Sequence, residues 1–296
     1  MGKTMKSIGR KIIYNEIRSD NLPVLSVCPG EKFSLLTELC DGPWLTDMDS
    51  VYTPEPKYTN PTVCVKIEGA MPGDMLAVTI IAIETEDIGC TGIFNSDYST
   101  RRLIGENCET QYKIVRIKDG FIEYSERLKL RVNPMIGVMA TAPAKGTLPS
   151  SWASRTGGNM DIQEVCAGTT VYLPVETPGA LLHVGDTHAI QGDGEIGGIE
   201  CRSKVILQAD IFPKPAGMEW VRLENDTHIM TAAFHAQTEE AFYEAYGEMI
   251  RWIASDYAYT KEEAFLLIGQ ALEARNTQFI NPTRSYICKM KKELLT

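Results

Sequence analysis

The sequence predicts a mainly β, α+β protein in which antiparallel, sandwich-like sheets carry a helical segment packed on them at the C-terminal end. Three observations lead there. Apolar residues alternate with period two through much of the first 234 positions, the period turns helical after Phe234, and no repeat, low-complexity block or linker divides the parts. One domain over 1–296 is therefore expected, with a strand-rich body over about 1–234 and a helical tail over about 235–296. At 296 residues and 44% hydrophobic content, the chain is long and apolar enough to bury a full core.

Taken in order, "VCVKIEG" sets Val63, Val65 and Ile67 against Cys64, Lys66 and Glu68, the pattern of a strand with one wet face. "AMPGD" turns the chain, and "MLAVTIIAI", apolar at almost every position, reads as a strand covered on both faces. "YKIVRI" and "FIEY" flank Asp119-Gly120, a pair suited to the positive φ values of a tight hairpin turn. "LKLRV" and "TVYLPV" continue the alternation. Phe242, Ala245, Tyr246, Met249 and Ile253 then recur at helical spacing, with Glu239 and Glu240 favourably placed in the first turn. Thr260 and Glu263 form a capping box ahead of a second helix carrying Ala264, Leu267, Ile268, Ala271 and Leu272. Both apolar stripes read as core packing.

A formal net charge of -10 argues against nucleic acid as a partner, because such binding relies on clustered Lys and Arg. A small-molecule partner is expected. The opening stretch, MGKTMKSIGRKIIYNEIRSD, is basic without the apolar core of a secretory signal, and the longest apolar runs are of strand length. A cytoplasmic protein that does not span a membrane is the expectation. Its 8 cysteines are irregularly spaced with no C-x-x-C pair, which suits reduced, mostly buried thiols.

The most informative stretch is "HVGDTHAIQGDGEIGG", His183 to Gly198, where histidines and carboxylates crowd among glycines. If its strand continues, Asp186 and His188 project to the same side as Leu182 and Val184, with His183 and Thr187 on the other. A D-x-H pair then emerges at the rim of a buried face as a platform for a metal ion, and His183 reads as structural. Upstream, "GGNMD" places Asp161 behind two glycines; downstream, "GGIEC" places Glu200 behind two more. Turns alone need fewer glycines and no acids. Mixed imidazole and carboxylate ligands suit zinc or another first-row metal with a position open to water or substrate. His228 and His235 read as strand and helix-entry residues.

"GALLHVGDTHAIQGDGEIGGIE" together with "GGNMD" resembles the acetamidase/formamidase family of amidohydrolases, which carries GGN-x-D and GD-x-H-x-x-QGDGE elements. "CDGPW", "NPTVCVKIEGAMPGDMLAV" and "NPMIGVMATAPA" are similar to further segments of that family, so the likeness spans about residues 20–290. The resemblance implies hydrolysis of a short aliphatic amide, formamide or acetamide, to ammonia and the carboxylate, by a homodimer using zinc and in some members calcium. It implies Asp161, Asp186 and His188 as metal ligands and Asp41 as a further metal-binding acid, and the Gly-flanked position of Glu200 adds it to that set. Glu195, the last residue of QGDGE, would be the carboxylate that moves protons, and Asp193 a second catalytic acid. The chain departs from the family pattern in lacking GGQ after Asp41, TGP in the "NPTVCV" strand and a histidine before GGN.

Two other readings stand beside this one. In a non-catalytic calcium-binding β-sandwich the carboxylates would only brace loops, since calcium takes oxygen ligands. In a thiol amidase, "IECRSKV" would supply Glu200, Cys201 and Lys204.

Overall fold

The structure is a computed structural model that describes residues 5–10, 12–94 and 98–295. The first four residues of the basic N-terminal stretch therefore lie outside the described residues. The architecture is mainly β, as expected, but the two sheets of a sandwich are not separate. Among the described residues, 18 strands join one curled, mostly antiparallel sheet, and Glu16–Ile17 pairs apart from it with Leu148–Pro149.

Two long strands form its spine. Asp74–Ile93 runs antiparallel to Gly198–Pro213, with register shifts between Cys201 and Ser203 and between Ile206 and Leu207. Along Gly198–Pro213 buried and half-buried residues alternate through most of the strand, placing Val205, Leu207 and Ala209 in the main core. The expected division of wet and dry faces is reversed in two places. Thr62–Ile67 is covered on both sides, because Val65 and Ile67 enter the main core while Cys64 packs with Ile17, Val138 and Ala140 in a second cluster. Within Asp74–Ile93, Leu76, Val78 and Ile80 are buried, but Ile81 is 37% exposed, so this strand has the partly wet face.

Local signals were followed closely. The Gln111–Lys118 and Phe121–Ser125 strands form the hairpin, with φ of 52° at Asp119 and 78° at Gly120. Helix Thr238–Asp256 buries Ala245, Met249 and Ile253, and helix Lys261–Ala271 begins with the reciprocal Thr260–Glu263 capping box. The tail is not wholly helical, however. Glu273–Gln278 and Arg284–Lys291 return as an antiparallel pair, and the latter adds itself to His228–His235. No described helix is long and apolar enough to cross a membrane.

Candidate active site

Three adjacent strands build the site around one residue without a side chain. Met135–Ala140 is central, flanked antiparallel by Gly157–Asn159 and by Leu182–Gln191. Gly137 lies on the central strand where both flanks carry an acid. A Cβ there would meet Asp186 Oδ2 at 2.5 Å and Asp161 Oδ1 at 2.6 Å. Gly137 also presents its carbonyl to the N–H groups of Met160 (2.8 Å) and Asp161 (3.3 Å), which fixes the approach of the second acid.

The Leu182–Gln191 strand changes partners at Asp186. It pairs with Thr62–Ile67 up to Gly185 and with Gly198–Pro213 from His188 onward. Asp186 occupies the gap with φ of 56°. Asp41 (64°), Asp161 (46°) and Glu195 (48°) share that left-handed conformation, so four of the candidate acids sit in backbone that non-glycine residues rarely adopt. Such conformations persist only where surrounding contacts impose them, and they concentrate at functional sites.

Among the described residues, Asp161, Asp186 and His188 offer ligand atoms that all lie within 4.8 Å of one another, and all three are buried. Gln191 sets the histidine. Its Nε2 donates to the carbonyls of Asp161 (2.8 Å) and Thr277 (3.3 Å), so its Oε1 faces His188 Nδ1 at 2.8 Å and accepts from it. The Nδ1 proton is thereby spoken for, and Nε2 is left to act, 2.9 Å from Glu200 Oε1 and 3.7 Å from Asp186 Oδ1. Asn60 Nδ2 donates to Asp186 Oδ2 (2.9 Å) and Gln278 Nε2 to Asp161 Oδ2 (3.2 Å). Asp161 Oδ1 and Glu195 Oε2 are buried atoms without a hydrogen-bond donor, whereas His188 Nε2 has Glu200 beside it.

This crowd of acids is electrostatically incomplete. Burial and the neighbouring Asp186 push Asp161 up to about 7. Burial and Asp161 hold Glu195 well above the ordinary carboxylate range, and burial also raises Glu200 and Asp41. Burial opposes a charge on His188, yet Glu200 and Asp186 outweigh it and hold the imidazole well above its usual value. Two like charges about 4–5 Å apart repel by about 3–4 kcal/mol at an effective dielectric of about 20. A divalent cation would relieve that repulsion and engage the donor-free Asp161 Oδ1 together with Asp186 and His188. The buried cluster can therefore hold a metal ion.

Each acid named from the sequence has a definite place. Asp41, Asp186, Glu195 and Glu200 line one cavity of about 400 Å³. Asp41 accepts the Tyr52 hydroxyl (2.9 Å) and stands outside the three-residue cluster. Asp193 is not with them. Its carboxylate is 61% exposed and accepts from Arg275 Nε (2.7 Å) and Gln163 Nε2 (2.9 Å). The cause is local: Gly194 and Glu195, both with positive φ, reverse the chain so that Glu195 turns inward while Asp193 stays out.

His183 is structural, buried with Nδ1 2.9 Å from Thr62 Oγ1 and Nε2 3.3 Å from Asn21 Nδ2. His228 lies against Thr227 and Glu273, and His235 is exposed at the helix entry. All 8 cysteines are free, and half of them are buried. The thiol arrangement is not assembled. Strand alternation turns Cys201 into a core with Val115 and Ile117, where burial lifts its thiol to about 12, while Lys204 pairs with Glu84 at 3.0 Å. Asn60, Gly137 and Gln191 stand inside stretches that marked the resemblance, but nothing in the sequence singled them out. Gln278 had no signal at all.

The acetamidase/formamidase family model matches residues 11–156 and 153–283. An acetamidase from Mycolicibacterium smegmatis is 24% identical over 289 residues, covering 69% of this chain and 71% of that protein. A relative from Schizosaccharomyces pombe is 40% identical over 76 residues, 25% of this chain; the match spans only 18% of that longer protein. The crystal structure of a predicted acetamidase/formamidase from Thermoanaerobacter tengcongensis superposes with a TM-score of 0.91 at 28% identity, over 98% of this chain and 97% of that one. For an acetamidase from Bacillus halodurans the TM-score is 0.88 at 30% identity, over 97% of each chain. The strands, the Asp-Asp-His cluster and these likenesses converge: the chain belongs to the acetamidase/formamidase family of amidohydrolases.

Proposed function

We propose that the chain hydrolyses a linear carboxamide, of which formamide and acetamide are the simplest, to ammonia and the carboxylate, with zinc held by Asp161, Asp186 and His188. The observation that carries this reading is the buried Asp-Asp-His cluster with Glu195 beside it at the wall of a cavity. Calcium is the alternative ion, and His188 favours zinc because imidazole is a poor calcium ligand. Bound there, the ion supplies Lewis acidity, lowering the pKa of a water and polarising the amide carbonyl. Glu195, its basicity raised by burial, takes the proton of the attacking water and returns it to the amide nitrogen as the C–N bond breaks. Glu200 faces His188 Nε2, and Asn60 and Gln278 hold the two aspartates in position. Asp193, paired with Arg275, steadies the loop rather than the reaction. The same reading brings with it a homodimeric, cytoplasmic enzyme.

Variants separate these roles. Asp186→Asn and His188→Ala should lose metal and activity together, measured by elemental analysis and ammonia release. Glu195→Gln should retain metal and fold while kcat falls by about 10²–10⁴, the usual contribution of a general acid–base group. Metal loss in Glu195→Gln, with full rate and metal kept in Asp186→Asn, would overturn the assignment.

A further inference from the structure

Resting on that reading of the site, the cavity points to a particular class of amide. Acetamide has a handful of non-hydrogen atoms. The cavity of about 400 Å³ is larger than a two-carbon amide needs, so acetamide would leave much of it to solvent. One side of the remaining wall is aromatic, the rest being small, polar and aliphatic residues such as Thr91, Thr100 and Ile280. Trp44, Tyr52, Phe94 and Tyr112 line it together. Tyr52 and Tyr112 are stacked with centroids 3.7 Å apart, and Trp44 stands edge-on to both at 5.2 and 5.5 Å. Phe94 is perpendicular to Tyr112 at 5.2 Å. Packed on one another in this way, the four rings give the cavity an aromatic side, and a flat ring can pack on such a side by stacking or edge-on, the two arrangements aromatic pairs prefer. Trp44 is largely buried with Leu39 and Leu45 in a core of its own, which braces the wall from behind.

Charge restricts the ligand further. Among the described residues lining this cavity there is no Lys or Arg, whereas Asp41 and Glu200 face it along with the catalytic acids. An anionic substituent on the substrate would have no Lys or Arg to pair with and would lie beside Asp41, which disfavours it against an uncharged ring.

We infer that the substrate is an uncharged primary amide whose acyl group carries an aromatic ring, with the ring held by the Trp44, Tyr52, Phe94 and Tyr112 wall.

Phenylacetamide, acetamide and 4-carboxyphenylacetamide test this on the metal-loaded enzyme. The value of kcat/KM for phenylacetamide should exceed that for acetamide by at least about tenfold, since filling an apolar pocket by even one group is worth roughly 10–200-fold. The carboxylated ring should fall at least about tenfold below the uncharged one. Phe94→Ala should reduce the phenylacetamide-to-acetamide ratio by roughly 10–200-fold, and Phe94→Tyr should restore most of it. Calorimetry on Glu195→Gln reads the same preference as binding, independently of turnover. Tighter binding of phenylacetamide there, with no amide hydrolysed by the native enzyme, would keep the ring site and sink the hydrolase reading. Turnover of acetamide with no preference for the ring, or a ratio unchanged in Phe94→Ala, would sink the ring site alone.

Discussion

Gly137 shows how a single residue can hold a site it does not touch chemically. Its missing side chain lets Asp161 and Asp186 converge from opposite neighbouring strands, and a Cβ would stand 2.5 Å and 2.6 Å from their carboxylates. Gly137→Ala must displace one of them. The expected result is metal affinity weakened by roughly 10–100-fold, as for changes in the groups that orient ligands, with a stability cost of about 1–3 kcal/mol from overpacking. Metal titration followed by thermal unfolding measures both, and native affinity in the variant would show that the acids do not need this gap. Residues were legible in the sequence where a short motif fixes them: the Asp186/His188 pair showed as D-x-H, although the left-handed backbone at Asp186 departs from the extended strand that parity assumes, and Thr260 with Glu263 needed only helix-cap chemistry. Asp193 and Glu195 have the same parity in an extended chain, and the positive φ values at Gly194 and Glu195 separated them. The convergence over Gly137 is a tertiary event that neither its own motif nor the two aspartate motifs express.

At the scale of elements, the tail proves to be part of the site rather than a cover for the sheet. Its helices were readable from apolar spacing, but Glu273–Gln278, "EARNTQ", has too little apolar alternation to announce a strand. That strand and the residue after it support the loop carrying Asp193 and Glu195. Gln278 donates to Asp161, the Thr277 carbonyl accepts from Gln191, Arg275 pairs with Asp193, and Phe279 N–H donates to the Gly194 carbonyl at 2.9 Å. The first tail helix, Thr238–Asp256, is anchored by Glu248, fully buried, which accepts from Arg222 Nε and Arg251 Nη2, each at 2.7 Å. Gln278→Ala removes the donor to Asp161 Oδ2 and the acceptor of Asn281 N–H. Metal affinity should drop by roughly 10–100-fold while the far-ultraviolet circular dichroism stays native. Retention of native affinity would reduce the tail hairpin to packing.

For the whole molecule, two buried groups pull stability in opposite directions as the solution is acidified, and the metal decides the balance. His183 is held neutral by burial, its pKa lowered from 6.5 to about 3. The unfolded chain therefore binds a proton that the folded one refuses, and stability falls by about 1.4 kcal/mol per unit from this group as pH drops from 6.5 towards 3. Asp161 works the other way once metal is removed. Its pKa is raised from 3.8 to about 7, so the metal-free folded state binds the extra proton, and stability rises as pH drops from 7 towards 4. In the metal-bound form proposed above, Asp161 would be engaged as a ligand and that compensation lost, while protons would also compete for the ligands. The stabilisation conferred by metal at pH 7.5 follows mass action on the native state. It should narrow markedly by pH 5, when measured by denaturant unfolding with and without chelator. His183→Asn should flatten the acid loss of the metal-loaded protein without closing that gap, since His183 contributes equally to both forms. A gap as wide at pH 5 as at pH 7.5 would mean that the acids around Gly137 do not gather a proton in place of the ion, and the account of this cluster as an electrostatically incomplete metal site would have to be abandoned.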